Sequence, residues 1–366
     1  MANNKAIKII TPIVIAVTAV AAVLIAVRKP EKPIGGEPRI YLKEGAIIVE
    51  KPGTRMADIA QAIQDPAIFS YDAGKRRGQS NAHLYIVGEG SVVIGGKGQG
   101  ELLEFNTNVC GDASIRIEPK AALDVTDSEI ATVHRTVSAG ICTRGYTMFC
   151  DGRITARNSK FLYISGNRSE FFRENASGEL DNVVIALSDG ASFRIANVDG
   201  SRLRIRNCRF ETAGKFGVYL LGNTKSPLRL EKCSMIGATA DVFLSMGRGE
   251  LTLVDCTFGK DRVRFENAKG AVRVVWRAHV RVEQAGKPVG GAAVLAECAG
   301  EKVTGITDAA GLAVLEVTDR VITADGSQSF TPHSFQVLNA NKVSQQSVTA
   351  AVNGSSDVIG EIRVSY

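Results

Sequence analysis

A repeat of about two dozen residues constrains the fold of this chain more than any other feature of its sequence. Its clearest copies are LRIRNCRF from Leu203, LRLEKCSM from Leu228 and LTLVDCTF from Leu251. Weaker copies begin at Leu123, Ile154 and Gly178. The starts at 154, 178, 203, 228 and 251 are separated by 24, 25, 25 and 23 residues. Such regularity predicts a solenoid in which every coil repeats one structural unit.

Each copy places apolar residues first and third, a turn-forming or polar residue fifth, and a small residue sixth. Asparagine and aspartate tolerate the left-handed conformation of a sharp corner, and the next side chain then points into a stack of coils about 4.8 Å apart. No helical pattern follows, so an all-β solenoid is favoured over a leucine-rich repeat. The predicted corner residues are Asn158, Asn182, Asn207 and Asp255, and the predicted inward column is Cys208, Cys233 and Cys256.

The repeats resemble those of the right-handed parallel β-helix superfamily, which includes pectate lyases, polygalacturonases, pectin methylesterases and many non-enzymatic surface proteins. The resemblance covers roughly residues 39 to 272. It implies a fold without implying a chemistry, because these families share architecture and not activity. The segment MADIAQAI, from Met56 to Ile63, predicts a short helix. We interpret it as a cap that covers the open first coil and its strand edges.

From about Ala271 the period ends, and alternating strands predict a small Ig-like β-sandwich. The strand segments are VRVVWRAHVRV, AAVLAEC, LAVLEV, HSFQVL, SVTAAV and EIRVSY. The stretch from Gly286 to Val317 is similar to the carboxypeptidase regulatory-like family, which implies a structural or interaction module. The matching residues are Gly286, Pro288, Val289, Gly291, Ala292, Val294, Thr307, Asp308 and Gly311. The only tryptophan, Trp276, is expected in the core beside this junction.

Residues 9–27 form an uncharged apolar stretch of 19 positions, which as a helix approaches the roughly 30 Å thickness of the hydrocarbon layer. We favour an uncleaved membrane anchor with the bulk of the chain extracytoplasmic. A cleaved signal, and therefore a secreted protein, stays open because small alanines interrupt the stretch. The predicted organisation is a membrane anchor over 1–27, a linker over 28–38, a β-helix over 39–270 and a sandwich over 271–366.

Charge and cysteine content exclude several functions. The formal charge of +6 is modest for 366 residues, and without zinc-finger spacing or an aromatic-basic RNA platform, nucleic acid is not a predicted partner. No CxxC pair occurs among the seven cysteines, although pairing of Cys142 with Cys150 stays open. The histidines lack metal-ligand spacing, so neither a metal nor a cofactor is predicted.

Two local patterns offer candidate chemistry. The stretch containing Asp241 is similar to the pectin methylesterase segment that carries its nucleophilic aspartate, which makes Asp241 a weak catalytic candidate. The other parts of that family's site are missing, so a surface or turn role is favoured. Arg204, Arg206 and Arg229 point outward from neighbouring repeats and are candidate ligands for an acidic polysaccharide. Acidic residues between them favour a mixed charged face.

Two functional hypotheses follow. The first is a membrane-anchored cell-surface structural or adhesive protein, whose candidate partners are a polysaccharide or another surface protein. The alternative is a polysaccharide lyase or carbohydrate esterase that acts on an acidic polysaccharide. The non-enzymatic hypothesis is favoured because it requires no missing catalytic residue, and the question of enzymatic activity stays open.

Overall fold

Short β-strands dominate the computed structural model, which describes residues 39–107, 113–134, 145–339, 342–354 and 362–365. The predicted anchor over 9–27, the predicted linker over 28–38, Cys110 and Cys142 lie outside these residues. Within the described ranges, no helix combines the length and the apolar character needed to cross a bilayer.

Strands from successive repeats pair in parallel and form the first sheet. Ile154 lies beside Gly178, Gly178 beside Leu203, and Leu228 beside Leu251. The predicted copies therefore stack in register, and the predicted parallel β-helix is confirmed. The strands of the first sheet in this rod are Thr54–Arg55, Ser91–Gly95, Ala122–Thr126, Arg153–Arg157, Ser177–Asp181, Leu203–Arg206, Leu228–Glu231 and Glu250–Val254.

Each coil continues through a second and a third sheet. The second sheet contains Phe69–Asp72, Arg77–Ser80, Leu102–Phe105, Glu129–Thr132, Lys160–Leu162, Val184–Ala186, Arg209–Glu211 and Ser234–Ile236. The third sheet contains Ile40–Lys43, Ala46–Val49, His83–Ile86, Ala113–Ile117 and Tyr146–Cys150, followed by Ala191–Ala196, Phe216–Leu221, Ala240–Gly247 and Val263–Ala268. Isolated bridges from Phe149 to Glu170 and from Phe172 to Ile195 join its two groups of strands. Two short 3-10 helices span Gly200–Arg202 and Lys260–Arg262.

Inward side chains of the three sheets form continuous apolar columns. In the first sheet, Leu180, Ile205 and Leu230 are at most 2% exposed. Phe193 and Phe210 stack inside the rod with their ring centres 4.6 Å apart. A single coil is too thin to bury these side chains by itself, so each coil depends on the coils above and below it.

The predicted helix Met56–Ile63 is confirmed at the N-terminal end of the rod. Its start is fixed by the Asp58 carboxylate, which accepts a hydrogen bond from the Arg55 backbone N–H at 2.8 Å. Met56 and Ile59 are each 1% exposed and belong to the main core. Antiparallel strands pair with the first parallel strands of the second and third sheets nearby. Together these elements cover the end of the rod.

The strand Ala271–Gln284 belongs to both the rod and the sandwich. It pairs in parallel with Glu250–Val254 and antiparallel with Leu312–Thr323. Its sheet also includes Lys287–Pro288, Gly326–Ser329 and Ile362–Ser365, and the opposite sheet contains Ala293–Cys298, Glu301–Ile306, His333–Asn339 and Lys342–Ala350. Parallel pairing thus includes one strand, beginning at Ala271, that lies beyond the last repeat of the sequence. The boundary between residues 270 and 271 and the Ig-like relationship stay predictions.

Three glycines of the predicted carboxypeptidase regulatory-like pattern lie at turns of the sandwich. Gly286, Gly291 and Gly311 have φ angles of +75°, +76° and +75°, which favour glycine. The Thr307 hydroxyl accepts a hydrogen bond from the Ala292 N–H at 2.8 Å. These residues shape turns, while the carboxypeptidase regulatory-like relationship stays a prediction.

Candidate binding surface

The four predicted corner residues adopt the left-handed conformation. The φ angles of Asn158, Asn182, Asn207 and Asp255 are 51°, 54°, 55° and 51°. The asparagine amides also connect neighbouring coils: Asn182 Nδ2 donates to Asn158 Oδ1 at 2.9 Å, and Asn207 Nδ2 donates to Asp181 Oδ1 at 2.8 Å. These contacts identify the corner residues as structural.

The predicted cysteine column lies inside the rod. Cys208, Cys233 and Cys256 are free thiols, at most 2% exposed, and the Cys233 N–H donates to Cys256 Sγ at 3.4 Å. Hydrogen bonding with Cys233 and burial raise the pKa of Cys208, so this thiol is protonated at neutral pH and suited to packing. Cys150 is also free, and burial raises its pKa to about 12. No group of residues in the described ranges has the arrangement of a metal site.

The predicted arginine ligands of the first sheet lie on a mixed charged face. Arg206 contacts Asp181 at 2.7 Å, and Arg229 contacts Glu231 at 2.6 Å. Arg204 is exposed and has no ion pair with the described residues. Since two of the three guanidinium groups already have acidic partners, this face offers little excess positive charge, and ligand binding there stays a prediction.

Asp241 is 5% exposed and enclosed by hydrogen-bond donors. Its Oδ1 accepts from the Gly237 N–H at 3.1 Å and from Arg262 Nε at 3.0 Å, and its Oδ2 accepts from the Gly259 N–H at 2.7 Å. These contacts hold two turns together. They support the favoured turn role, and a nucleophilic role for Asp241 stays a prediction without further support.

A groove on the outer surface of the third sheet, with a volume of about 430 Å³, was not predicted from the sequence. Its three rings belong to Phe216, Tyr219 and Phe243. Phe216 and Phe243 stack with ring centres 4.1 Å apart and planes inclined by 4°. Tyr219 meets Phe243 at 5.0 Å and 66°. We call this site, together with its flanking basic residues, the aromatic groove.

Basic groups outnumber acidic groups in the aromatic groove. Arg194, Lys215 and Arg264 line it, whereas Glu266 is the one acidic residue among its described lining residues. The Arg194 guanidinium carbon lies 5.1 Å from the centre of the Tyr219 ring. Arg194 Nε is buried and has no hydrogen-bond partner within the described part of the chain. The groove therefore combines apolar rings with positive charge.

The same face continues toward the N-terminus. The Arg116 guanidinium lies between two rings, 5.2 Å from the centre of Tyr85 and 5.4 Å from that of Phe149. On the next coil, Glu170 lies 3.8 Å from Arg194. We define the aromatic–arginine face by the outward residues Tyr85, Arg116, Phe149, Glu170, Arg194, Tyr219, Phe243 and Arg264. Its rungs are spaced about 4.8 Å apart, as neighbouring strands of a sheet are.

This arrangement is suited to holding a sugar chain. Aromatic rings offer flat apolar surfaces to the C–H faces of pyranoses, and arginines offer planar sets of donors to hydroxyl and carboxylate groups. Hydrolysis of a glycosidic bond ordinarily uses a pair of carboxyl groups. The described lining of the aromatic groove supplies a single carboxylate, Glu266, beside three basic residues.

A signal for this site was present in the sequence. Arg194, Tyr219, Phe243 and Arg264 follow one another at 25, 24 and 21 residues, close to the repeat period. They pair directly in the third sheet. The eight-residue pattern is most regular in the first sheet, so it predicts ligands among the arginines of that sheet. The third strand of each coil is less regular, and the pattern does not include its outward residues.

Comparison with known proteins agrees with the architecture. Residues 88–258 match a family model described as a right handed beta helix region, so the rod has the right-handed parallel β-helix fold. No curated protein matches the chain. A solved structure of a double mutant of the periplasmic alginate epimerase AlgG matches at 9% identity and a TM-score of 0.30, covering 63% of this chain and 71% of that chain. A TM-score of this size is too low to transfer an activity.

Proposed function

We propose that this protein is a membrane-anchored surface protein that binds an acidic polysaccharide along its aromatic–arginine face. The proposal depends on one observation: three adjoining rings in the aromatic groove are bordered by three basic residues and one acidic residue. Basic residues beside a low-dielectric wall attract an anionic chain, and the rings then contribute contacts that salt screens less.

The membrane anchor is supported by the length and apolar character of residues 9–27, which a charged and proline-rich linker follows. The rod and sandwich then lie outside the cytoplasm in the proposed topology. Protease treatment of intact cells tests this arrangement, because digestion of the rod only after cell lysis would contradict it.

Polysaccharide binding is tested with the full-length protein in a mild detergent, by titration with alginate, polygalacturonate and a neutral glucan. We expect both acidic polymers to bind more tightly than the neutral glucan. Tyr219→Ala and Phe243→Ala should each weaken binding several-fold, because a ring contact contributes about 0.5–1.5 kcal/mol beyond its buried area. Arg194→Gln should reduce the preference for acidic polymers.

A matched control is available on the same strand as Phe243. Met246 is 59% exposed and does not line the aromatic groove, so Met246→Ala should bind with unchanged affinity. Unchanged affinity in both ring variants would rule out the aromatic groove as the binding site. Unsaturated products with new reducing ends in the same titrations would support the lyase hypothesis instead, and methanol released from methyl-esterified pectin would support the esterase hypothesis.

A further inference from the structure

A second cleft, with a volume of about 890 Å³, lies where the last corners of the rod meet the sandwich. It is separate from the aromatic groove, since the two sites share no described lining residue. Its charged lining consists of the four basic residues Arg209, Lys232, Lys260 and Arg277 and the acidic residue Asp255. The histidine His279 also lines it.

Part of this charge is used internally. Asp255 is paired with Arg277 at 2.9 Å, and Lys260 is paired with the buried Asp319 at 2.6 Å. Arg209 contacts Glu211 at 3.0 Å, but Glu211 does not line the cleft. Lys232 is exposed and has no acidic partner among the described residues. The lining therefore retains a positive charge that internal ion pairs leave available.

The backbone conformation of Lys232 determines which substitution can test its role. This residue stands at a corner of the rod with a φ angle of 51°, and its neighbours in the corner column are Asn207 and Asp255. The left-handed conformation costs most L-residues roughly 1–2 kcal/mol, whereas asparagine and aspartate adopt it more readily. A lysine is thus held at a position where asparagine fits better, so replacing Lys232 by asparagine is expected to preserve the corner.

We propose that this cleft binds a sugar that carries a phosphate or sulfate ester. The tetrahedral oxyanion contacts the Lys232 ammonium and the Arg209 guanidinium, which presents further N–H donors besides the Nε that meets Glu211, because charged donors suit an anion with several oxygens. His279 supplies a further ring nitrogen, and the half-buried Phe258 supplies an apolar wall for the sugar ring. The site works independently of polysaccharide binding to the aromatic groove.

The test uses full-length protein and calorimetric titration with glucose 6-phosphate, glucose 6-sulfate, inorganic phosphate and unmodified glucose. We expect at least one ester to bind more tightly than phosphate alone, and glucose to show no binding. Lys232→Asn should weaken binding of the ester at least tenfold and leave the unfolding midpoint equal or higher, since asparagine fits the corner. Loss of binding would then not result from misfolding.

Three further variants test whether the charge of Lys232, at its own position, binds the ester. Lys232→Arg should retain most of the affinity. Lys97→Gln removes one positive charge from an exposed site elsewhere on the rod, and should leave the affinity for the ester unchanged. Phe243→Ala should also leave ester binding unchanged, which separates this cleft from the aromatic groove. The proposal is overturned if neither ester binds, if glucose binds as tightly, or if Lys232→Asn retains full affinity.

Discussion

Asn207 combines two contributions that most side chains cannot supply together. Its φ angle of 55° lies in the left-handed region, and its amide donates to Asp181 on the preceding coil at 2.8 Å. Hydrogen bonds from Arg206 and Asn207 lower the pKa of Asp181, although partial burial acts in the opposite direction. One residue therefore shapes the corner and helps to keep a carboxylate charged between two coils.

The two contributions can be separated by substitution. We expect Asn207→Ala to lower the stability of the protein by about 1–2 kcal/mol, because alanine loses the amide and is strained at positive φ. Asn207→Gly also loses the amide but adopts the conformation freely, so its loss should be smaller. Urea unfolding of both variants provides the measurement. Equal destabilisation would show that the hydrogen bond, and not the backbone, determines the effect.

At the scale of elements, the helix Met56–Ile63 determines how the rod begins. Ile59→Ala should lower stability by about 2–4 kcal/mol and promote aggregation, because it opens a cavity beneath the cap and loosens the cover over strand edges. Gln61 is exposed on the same helix, and Gln61→Ala should change stability by less than about 0.5 kcal/mol. Thermal unfolding with light scattering measures both effects. A soluble, fully stable Ile59→Ala variant would contradict the capping role.

Local signals in the sequence were sufficient for this helix and for the corners, because each depends on residues that are close in the chain. Arg229 has a second acidic partner besides Glu231, and local signals do not predict it. Its guanidinium contacts Glu316 at 2.6 Å, and 87 residues separate the two in sequence. Such a contact exists only because the sandwich folds back on the rod, so the pattern of the repeats cannot predict it.

Prediction of the aromatic groove failed for a related reason. The stacking of Phe216 on Phe243 requires two coils to pair in a particular register. Periodicity predicts which side chains point inward, and it leaves open how outward side chains of different sizes meet. The predicted arginine ligands lie on the most regular sheet, whereas the rings lie on a less regular one.

At the scale of the molecule, a partly buried ion pair joins the sandwich to the rod. Asp319 is fully buried and contacts Lys260 Nζ at 2.6 Å, while Trp276 Nε1 lies 3.4 Å from the same carboxylate. The Lys260 amine also lies 5.8 Å from the centre of the Trp276 ring. Trp276 is 7% exposed, which confirms the prediction that it belongs to the core.

Breaking the Lys260–Asp319 pair should destabilise the contact between sandwich and rod more than the rod itself. Asp319→Asn leaves the Lys260 charge without its partner, and we expect a loss of about 3 kcal/mol. Fluorescence of Trp276, the only tryptophan, should report the change at a lower urea concentration than the loss of strand signal from the rod. Glu297→Gln removes one partner of the exposed pair with Lys302 and should have almost no effect. A single unshifted transition in Asp319→Asn would contradict this role.

The strand Ala271–Gln284 has a mechanical consequence. It pairs with Glu250–Val254 over its first five residues and continues without a break into the sandwich. A tensile load on the sandwich along this strand therefore reaches the rod through one covalent backbone. The load then shears several inter-strand hydrogen bonds together and does not peel them apart one at a time. A polymer held by the rod and a neighbour pulling on the sandwich would thus strain the same short stretch of backbone.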